Sequence, residues 1–414
     1  MAPTGRTAAA LAAIALAALL FPTWLVGAAA LVLLAAAGAD GWAVRAPPEL
    51  ERWCSKILSR GVPSPLRASA SAGDGRRMIL RQPGAPGLDV QVSLADGELR
   101  GYVVPARRGR YVLAPVACAS IGPLGLVRVH HPPGAALPLA VYPDMVAAGA
   151  LIARLRRQLA GRAGGIARGP LGLGTDFELI REYSPDDDVR QLNWRATARA
   201  GRPMSNQYRV ERDRDVVCLL DAGRLTAAPI GDRTVLDASL DATVLVALAA
   251  DELGDRCGAI AFDEQVRRYV SPRHLGARHL VEALFDLVPA AVDSDFELAF
   301  GRVGEARRGI VVVFTDLVDD AAARSLLAAI PMLVRRHAVI VASPVDARLQ
   351  EYIRAESSSS EAVAAALVAL DMVRTRASAA HALRRAGATV IEAGAGTLAE
   401  HCLDAYLRVK RRPL

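Results

Sequence analysis

The sequence predicts an α/β protein whose mostly parallel sheet carries helices on both faces. A small β-sandwich-like module and an N-terminal transmembrane hairpin precede it. Three features lead there: an uncharged apolar run near the N-terminus, a middle region of short alternating segments, and a C-terminal half in which apolar strands alternate with helical stretches. The predicted boundaries are 1–43 for the hairpin, 44–75 for an amphipathic helix and linker, and 76–143 for the β module. A helix and a charged segment then occupy 144–214, and the α/β domain occupies 215–414.

The run TAAALAAIALAALLFPTWLVGAAALVLLAAAGA, from Thr7 to Ala39, contains no charge. One straight helix of that length would extend roughly 50 Å, against a hydrocarbon core of about 30 Å. Pro22 lies near its middle, so two short spans fit better than one tilted span or a cleaved signal, whose apolar core covers only about 7–15 residues. Arg6 before the run and Arg45 and Arg52 after it put both ends, and with them the bulk of the chain, in the cytoplasm of a cell-membrane protein. Residues 44–60 read as a short amphipathic helix bringing Trp42 and Trp53 to the bilayer surface, and a Pro/Gly/Ser-rich linker follows to Gly75.

Between Arg76 and Pro143 the segments RMILRQ, LDVQVSL, LRGYVVP, GRYVLAPVACAS and LGLVRVHH alternate apolar with polar residues. Breaks at Gly and Pro make them short antiparallel strands of a structural or docking module. His130 and His131 fall in a loop beside Pro132 and are expected to be solvated. After a helix near 144–160, the glycine-rich GRAGGIARGPLGLGTDFE lacks the Gly-Lys-Ser/Thr ending and the preceding strand of a phosphate loop. It reads as flexible backbone.

From Asp215, DVVCLLD, CGAIAFD, GIVVVFTDL, HAVIVAS and ATVIEAG are strands separated by helical runs. SSSS at 357–360 is placed at a helix start or surface turn. Ligands of such sheets gather beyond the carboxyl ends of the strands, which here carry Asp221, Asp263, Thr315, Asp316 and Asp346. Asp221 and Asp316 could together hold a hard cation, or they could simply cap the turns that follow.

Composition narrows the function. The chain has 414 residues, 52% of them hydrophobic, and a net charge of +7 spread along its length. Apart from RVKRRPL at the end there is no basic block, so nucleic acid is not an expected partner. Five cysteines, an odd number with no CxxC pair, read as reduced thiols rather than a disulfide framework or a zinc cage. No HExxH occurs among the seven histidines.

The densest charge lies in REYSPDDDVRQLNWRATARAG, Arg181–Gly201. Nine acids and eight arginines fall between Asp176 and Asp215. Interleaved charge of that balance suits paired ion networks. Trp194 is expected to bury its ring against the sheet, making the segment a structural strap. A partner-docking surface is the second reading, and catalysis the third.

This segment resembles the signature of the bacterial family called domain of unknown function 58. In that family an R-x-Y-x-P-G-D-D-x-R-x-I-D-W core precedes the first strand of a von Willebrand factor A-like domain, a Rossmann-like fold. Arg181, Tyr183, Pro185, Asp187, Asp188, Arg190 and Trp194 match, and Arg199 follows within the same stretch. RRGRYVLAPVACASIGPLGL, RTRASAAHALRRAGATVIEA and YLRVKRR resemble flanking family segments, so the likeness covers nearly the whole chain. Asp186 stands in place of the family's glycine and Asn193 in place of its aspartate.

A-like domains bind magnesium through Asp-x-Ser-x-Ser, a threonine and a further aspartate. Asp221 matches the first position, Thr315 and Asp316 resemble the last loop, and Gly223 and Leu225 replace the two serines. No threonine of the middle loop is assigned. The resemblance thus implies a degenerate site of Asp221, Thr315 and Asp316, with magnesium held weakly if at all and no other cofactor. It further implies a non-enzymatic, membrane-anchored interaction protein with a MoxR-type AAA ATPase as partner, working in membrane-linked assembly or in a chaperone-like role. The alternative is a metal-dependent hydrolase using Asp221 and Asp316. Oligomeric state is not legible.

Overall fold

In the computed structural model the chain forms two compact units, Met1–Tyr142 and Pro143–Leu414. The structure describes residues 1–72, 76–95, 97–162, 171–184, 189, 192–209, 213–303, 307–318, 320–354 and 359–411.

The first unit begins with a two-residue strand β1 (Ala2–Pro3), then α1 (Gly5–Ala17) and α2 (Thr23–Ala43). Pro22 caps α2 with extended backbone, which breaks the apolar run into two helices. The 21 residues of α2 span about 31 Å, enough for a bilayer core. The 13 residues of α1 reach only about 20 Å. By length and composition α2 is the one helix, among the described residues, able to cross a membrane.

Ten strands follow: β2 (Glu49–Cys54), β3 (Ile57–Ser59), β4 (Ser64–Ser71), β5 (Met78–Arg81), β6 (Leu88–Ala95), β7 (Glu98–Pro105), β8 (Gly109–Leu113), β9 (Ala117–Ile121), β10 (Val127–His130) and β11 (Leu137–Tyr142). They build sheets ordered β1-β10-β9-β5, β3-β11-β8 and β2-β4-β7-β6. Every pairing is antiparallel except β3 with β11. Alternating residues such as Leu66 and Ala68, Leu99 and Val103, and Leu139 and Val141 point into a shared core.

Three expectations fail here. Residues 49–54 and 57–59 are strands, not an amphipathic helix, and the supposed linker contains β4. In ELERWC the side chains alternate between the two faces, a period of two that fits a strand and not a helix. Trp53 therefore sits on a strand opposite Arg67. His131 is buried, with Nε2 2.8 Å from Ser120 Oγ. Burial first, then the charges of Arg76 and His130, hold it below the usual histidine range.

The second unit opens with α3 (Met145–Arg162). Next come β12 (Leu171–Glu182), α4 (Trp194–Ala200) and β13 (Met204–Arg209), with β12 and β13 paired as an antiparallel ribbon. The glycine-rich segment read as flexible backbone is therefore a strand from Leu171 onward; its 163–170 part lies outside the described residues. Then come β14 (Asp215–Asp221), a short pair β15 (Pro229–Ile230) and β16 (Arg233–Thr234), α5 (Val235–Leu253), β17 (Arg256–Phe262), β18 (Val266–Arg273), α6 (Ala277–Leu284) and α7 (Phe296–Val303). The chain finishes with β19 (Gly309–Phe314), α8 (Asp320–Val334), β20 (Ala338–Val345), α9 (Arg348–Arg354), α10 (Ser360–Arg385), β21 (Thr389–Gly394) and α11 (Leu398–Lys410).

Six strands form one sheet in the order β18-β17-β14-β19-β20-β21, parallel except for the edge strand β18. Val217, Leu219, Val311 and Val313 face α7, α8 and α10, while α5 and α11 cover the opposite face. Both faces are dry, which explains why every residue of β14 and β19 is buried. Local chemistry sets the helix starts: Thr234 and Asp237 form a capping box on α5, and Ser359 accepts the Ala362 N–H at the start of α10.

Candidate functional site

Asp221 ends β14, and Thr315 and Asp316 follow β19, the strand paired beside it. Adjacent parallel strands therefore bring Asp221 to one carboxyl-end rim with Thr315 and Asp316, which lie 94 and more residues later. Asp221 is buried and both oxygens of its carboxylate accept hydrogen bonds. Thr315 Oγ1 donates to Oδ2 at 2.6 Å, Ser294 Oγ to Oδ1 at 2.5 Å, and the Gly223 N–H to Oδ1 at 2.9 Å. Burial pushes Asp221 above the usual carboxylate range, and these three donors oppose the rise.

Asp316 has a different partner. Arg376, buried in α10, donates through Nη2 to Asp316 Oδ1 and through Nη1 to the Pro344 carbonyl at 2.8 Å. Its Nε finds no acceptor among the described residues. Burial raises Asp316 to about 6, although Arg376 and the Leu317 and Val318 N–H groups pull it down. Asp263, at the end of β17, is likewise committed: it accepts from Arg267 at 2.9 Å and from the Gln265 N–H at 3.0 Å.

Gly223 has a steric reason to be glycine. A Cβ there would lie 2.3 Å from Ser294 Oγ and 2.9 Å from the Val292 carbonyl. Ser294 thus occupies the space that a side chain at position 223 would need, and supplies a hydroxyl from the loop before α7. Beside it a cleft of ≈ 200 Å³ is lined by Asp221, Arg224, Leu225, Ser294, Phe296 and Ser325. That is smaller than the roughly 300–1,000 Å³ of ordinary small-molecule sites.

Sequence reasoning missed Ser294 and Arg376. Ser294 lies in VDSD, a loop between helices with no fixed spacing from Asp221. Arg376 did leave a signal: it shares one helical face with the buried Ala369, Ala379, Ala380 and Leu383, and a cation on an apolar stripe needs a buried partner.

The signature segment divides. Asp187, Asp188 and Arg190 lie outside the described residues. Arg181 is half-buried and donates to the Glu182 carbonyl at 2.9 Å, while the Tyr183 N–H donates to the Pro203 carbonyl at 2.9 Å. Asn193 caps α4 by accepting the Ala196 N–H at 3.0 Å and donates to Asn206 Oδ1 at 2.7 Å. It performs the capping that an aspartate would. Arg199 is exposed in the last turn. Trp194 is 71% exposed, so the expected burial of its ring does not occur. The Asn193 cap makes Trp194 the first helical residue, and the ring is left in solvent, as are Val189 and Ile180 of the same segment.

Among the described residues, no group of three or more His, Cys, Asp or Glu side chains is gathered as metal ligands are. Cys54, Cys118, Cys218, Cys257 and Cys402 are free, and burial raises the thiols of Cys54, Cys118 and Cys402.

Uncharacterized proteins of Mycobacterium bovis and of two Mycobacterium tuberculosis strains are 27% identical to this chain over 188 residues. The aligned region covers 43% of this chain and 57% of each relative, so the chain matches little more than half of their length. Among solved structures, a cohesin module of a Clostridium perfringens family 33 glycoside hydrolase covers 24% of the chain and 98% of itself at 10% identity and a TM-score of 0.16. A mutant SrpA adhesin of Streptococcus sanguinis covers 37% and 78% at 14% identity and the same TM-score of 0.16. Likeness at that level carries no weight for fold or function. The profile of the "Protein of unknown function DUF58" family matches residues 179–389, about half of the chain and including Arg181, Trp194, Asp221 and Asp316, and the chain belongs to that family.

Proposed function

We propose that this chain is a membrane-anchored, non-enzymatic interaction protein. Its second unit acts as a cytoplasmic von Willebrand factor A-like domain on a two-span hairpin of α1 and α2. It docks a protein partner, a MoxR-type AAA ATPase, in membrane-linked assembly or chaperone-like work. The strand order with one antiparallel edge supports the A-like reading. The observation that carries docking is Trp194, a large aromatic ring left in solvent inside the family signature beside exposed Arg195 and Arg199. Tryptophan and arginine are enriched in binding hot spots, tryptophan because its rigid ring buries much area at small entropy cost and arginine because its planar fork makes several directed hydrogen bonds.

The rim favours binding over catalysis. Both oxygens of Asp221 already accept hydrogen bonds, and Asp316 is paired with Arg376. A divalent cation here would compete with that guanidinium for Asp316 and with the three donors already on Asp221. The donor set fits magnesium poorly, and the metal-dependent hydrolase reading loses its ligands with it.

The test is affinity capture from a detergent extract, with and without ATP and Mg²⁺, using the full chain and Trp194→Ala. An ATPase held by the full chain and lost by the variant, at unchanged melting temperature, is the expected result. Equal capture by both would overturn docking through Trp194.

A further inference from the structure

The first unit contains a second, wider cavity of ≈ 810 Å³, lined by Arg6, Arg76, Arg77 and Arg128 together with Val44 and Gly125. No acidic side chain lines it among the described residues. We propose that it binds the phosphate headgroup of an anionic phospholipid at the foot of α2. This assignment rests on the reading of α2 as a membrane anchor.

Three observations support a headgroup. First, four guanidiniums around one space make a site for an anion with several acceptor oxygens, since the planar fork of arginine pairs with phosphate bidentately. Arg128 Nε is buried and has no acceptor among the described residues, a donor that a ligand in this space could satisfy.

Second, the cavity is built around the end of the helix. Asp40, in the last turns of α2, accepts the N–H groups of Leu124 at 2.7 Å, Leu126 at 2.8 Å and Val127 at 3.0 Å. Gly122 makes this possible, because a Cβ there would fall 2.2 Å from the Asp40 carboxyl carbon. Thr4 Oγ1 donates to the Gly125 carbonyl at 2.5 Å, and Thr7 donates to that of Leu126. The IGPLGL turn is thus bound to both helices, and the Asp40 carboxylate is taken up by its backbone donors.

Third, the same level carries interfacial anchors. Trp42 is 64% exposed, and the Arg45 guanidinium stacks 4.6 Å from its ring centroid. An exposed tryptophan at a helix end with arginines beyond it marks the headgroup layer. Basic pockets at that depth take anionic lipid. A free phosphate would satisfy the same arginines, but the position at the end of α2 favours the lipid.

The full chain is placed in nanodiscs of phosphatidylcholine alone or with one third phosphatidylglycerol. Melting temperature is recorded, and lipid retained after detergent transfer is identified by native mass spectrometry. Phosphatidylglycerol is expected to be retained at least about threefold above its share and to raise the melting temperature. Arg77→Gln/Arg128→Gln is expected to lose both effects while melting like the parent in pure phosphatidylcholine. Should that variant fail to fold, Arg6→Gln/Arg77→Gln alters only exposed side chains and is expected to lose most of the retention. Equal retention of the two lipids, or retention unchanged in a folded variant, overturns the assignment. An equal rise produced by millimolar inorganic phosphate in pure phosphatidylcholine discs overturns the lipid as the ligand. A chain that enters neither disc sinks the anchor reading and this site with it, and size-exclusion chromatography separates that outcome from the others.

Discussion

Arg376→Met is the most informative perturbation of the rim. It keeps the length and apolar stem of the side chain but removes the guanidinium from Asp316, with both groups buried. Breaking one partner of a buried pair costs about 3–5 kcal/mol, because the remaining charge is left without compensation in a medium that solvates it poorly. The cost has a definite pH sign. Asp316 already sits near 6, above its ordinary 3.8. A carboxyl raised in the folded state binds its proton more tightly there than in the unfolded chain. Its contribution to stability is therefore fully present below about 3.8 and declines as pH rises through about 6, by about 3 kcal/mol. Without Arg376 the carboxyl rises further, so the variant is expected to lose most at pH 8 and clearly less at pH 5. The assay is hydrogen exchange of peptides covering β14, β19 and α10, which reports opening of this sheet separately from the first unit. Adding Asp316→Asn should recover most of the loss, since a neutral pair needs no counter-charge. An opening free energy unchanged by Arg376→Met, or a loss as large at pH 5 as at pH 8, would refute the buried-pair account.

The other expectations can be checked in the same protein. Gly223→Ala places a Cβ 2.3 Å from Ser294 Oγ, so Ser294 must move off Asp221 and stability should fall by about 1–3 kcal/mol, read as a lower melting temperature. Lys410→Met leaves Asp255 buried with Tyr406 and the Arg214 N–H as its remaining donors, and should cost about 3–5 kcal/mol in chemical unfolding. Trp194→Ala should change stability by less than about 0.5 kcal/mol, because the ring is exposed. Deleting residues 1–43 removes α2 and should move the protein from the membrane fraction to the supernatant on ultracentrifugation.

Much of the second unit is legible from sequence because each strand of its sheet is buried on both faces. DVVCLLD and GIVVVF are continuous apolar runs ending at a carboxylate or threonine, and α6 and α7 between them bury residues at helical spacing. The first unit is harder. ELERWC alternates with the period of a strand, but the tryptophans and arginines around it also suit a membrane-surface helix and pull the reading there; the pairing of β2 with β4 bears out the alternation. Trp194 shows a different limit. Hydrophobicity gives the average fate of a tryptophan, but the Asn193 cap fixes where the helix begins, and therefore which way the ring points. Ser294 and Arg376 act across 73 and 60 residues of sequence, beyond the reach of any local period.

The relation between Gly223 and Ser294 bears on how the rim should be understood. Judged by spacing alone, glycine in place of a serine removes an oxygen from the rim and leaves a gap. In the fold there is no gap, because Ser294 enters the same volume from another loop and presents its hydroxyl to the same carboxylate. The rim is therefore a different solution to burying Asp221, not an eroded one. Three donors hold that carboxylate, and a guanidinium holds its neighbour where a cation would otherwise balance both. A carboxylate held in this way gains less by binding an ion, because the ion competes with donors already in place. Placing a serine at position 223 should therefore not create a magnesium site: Gly223→Ser is expected to disturb Ser294 and lower stability, with no rise in melting temperature when magnesium is added. A magnesium-dependent rise in that variant would mean that Ser294 had yielded its place and that Arg376 is a weaker competitor than its burial implies.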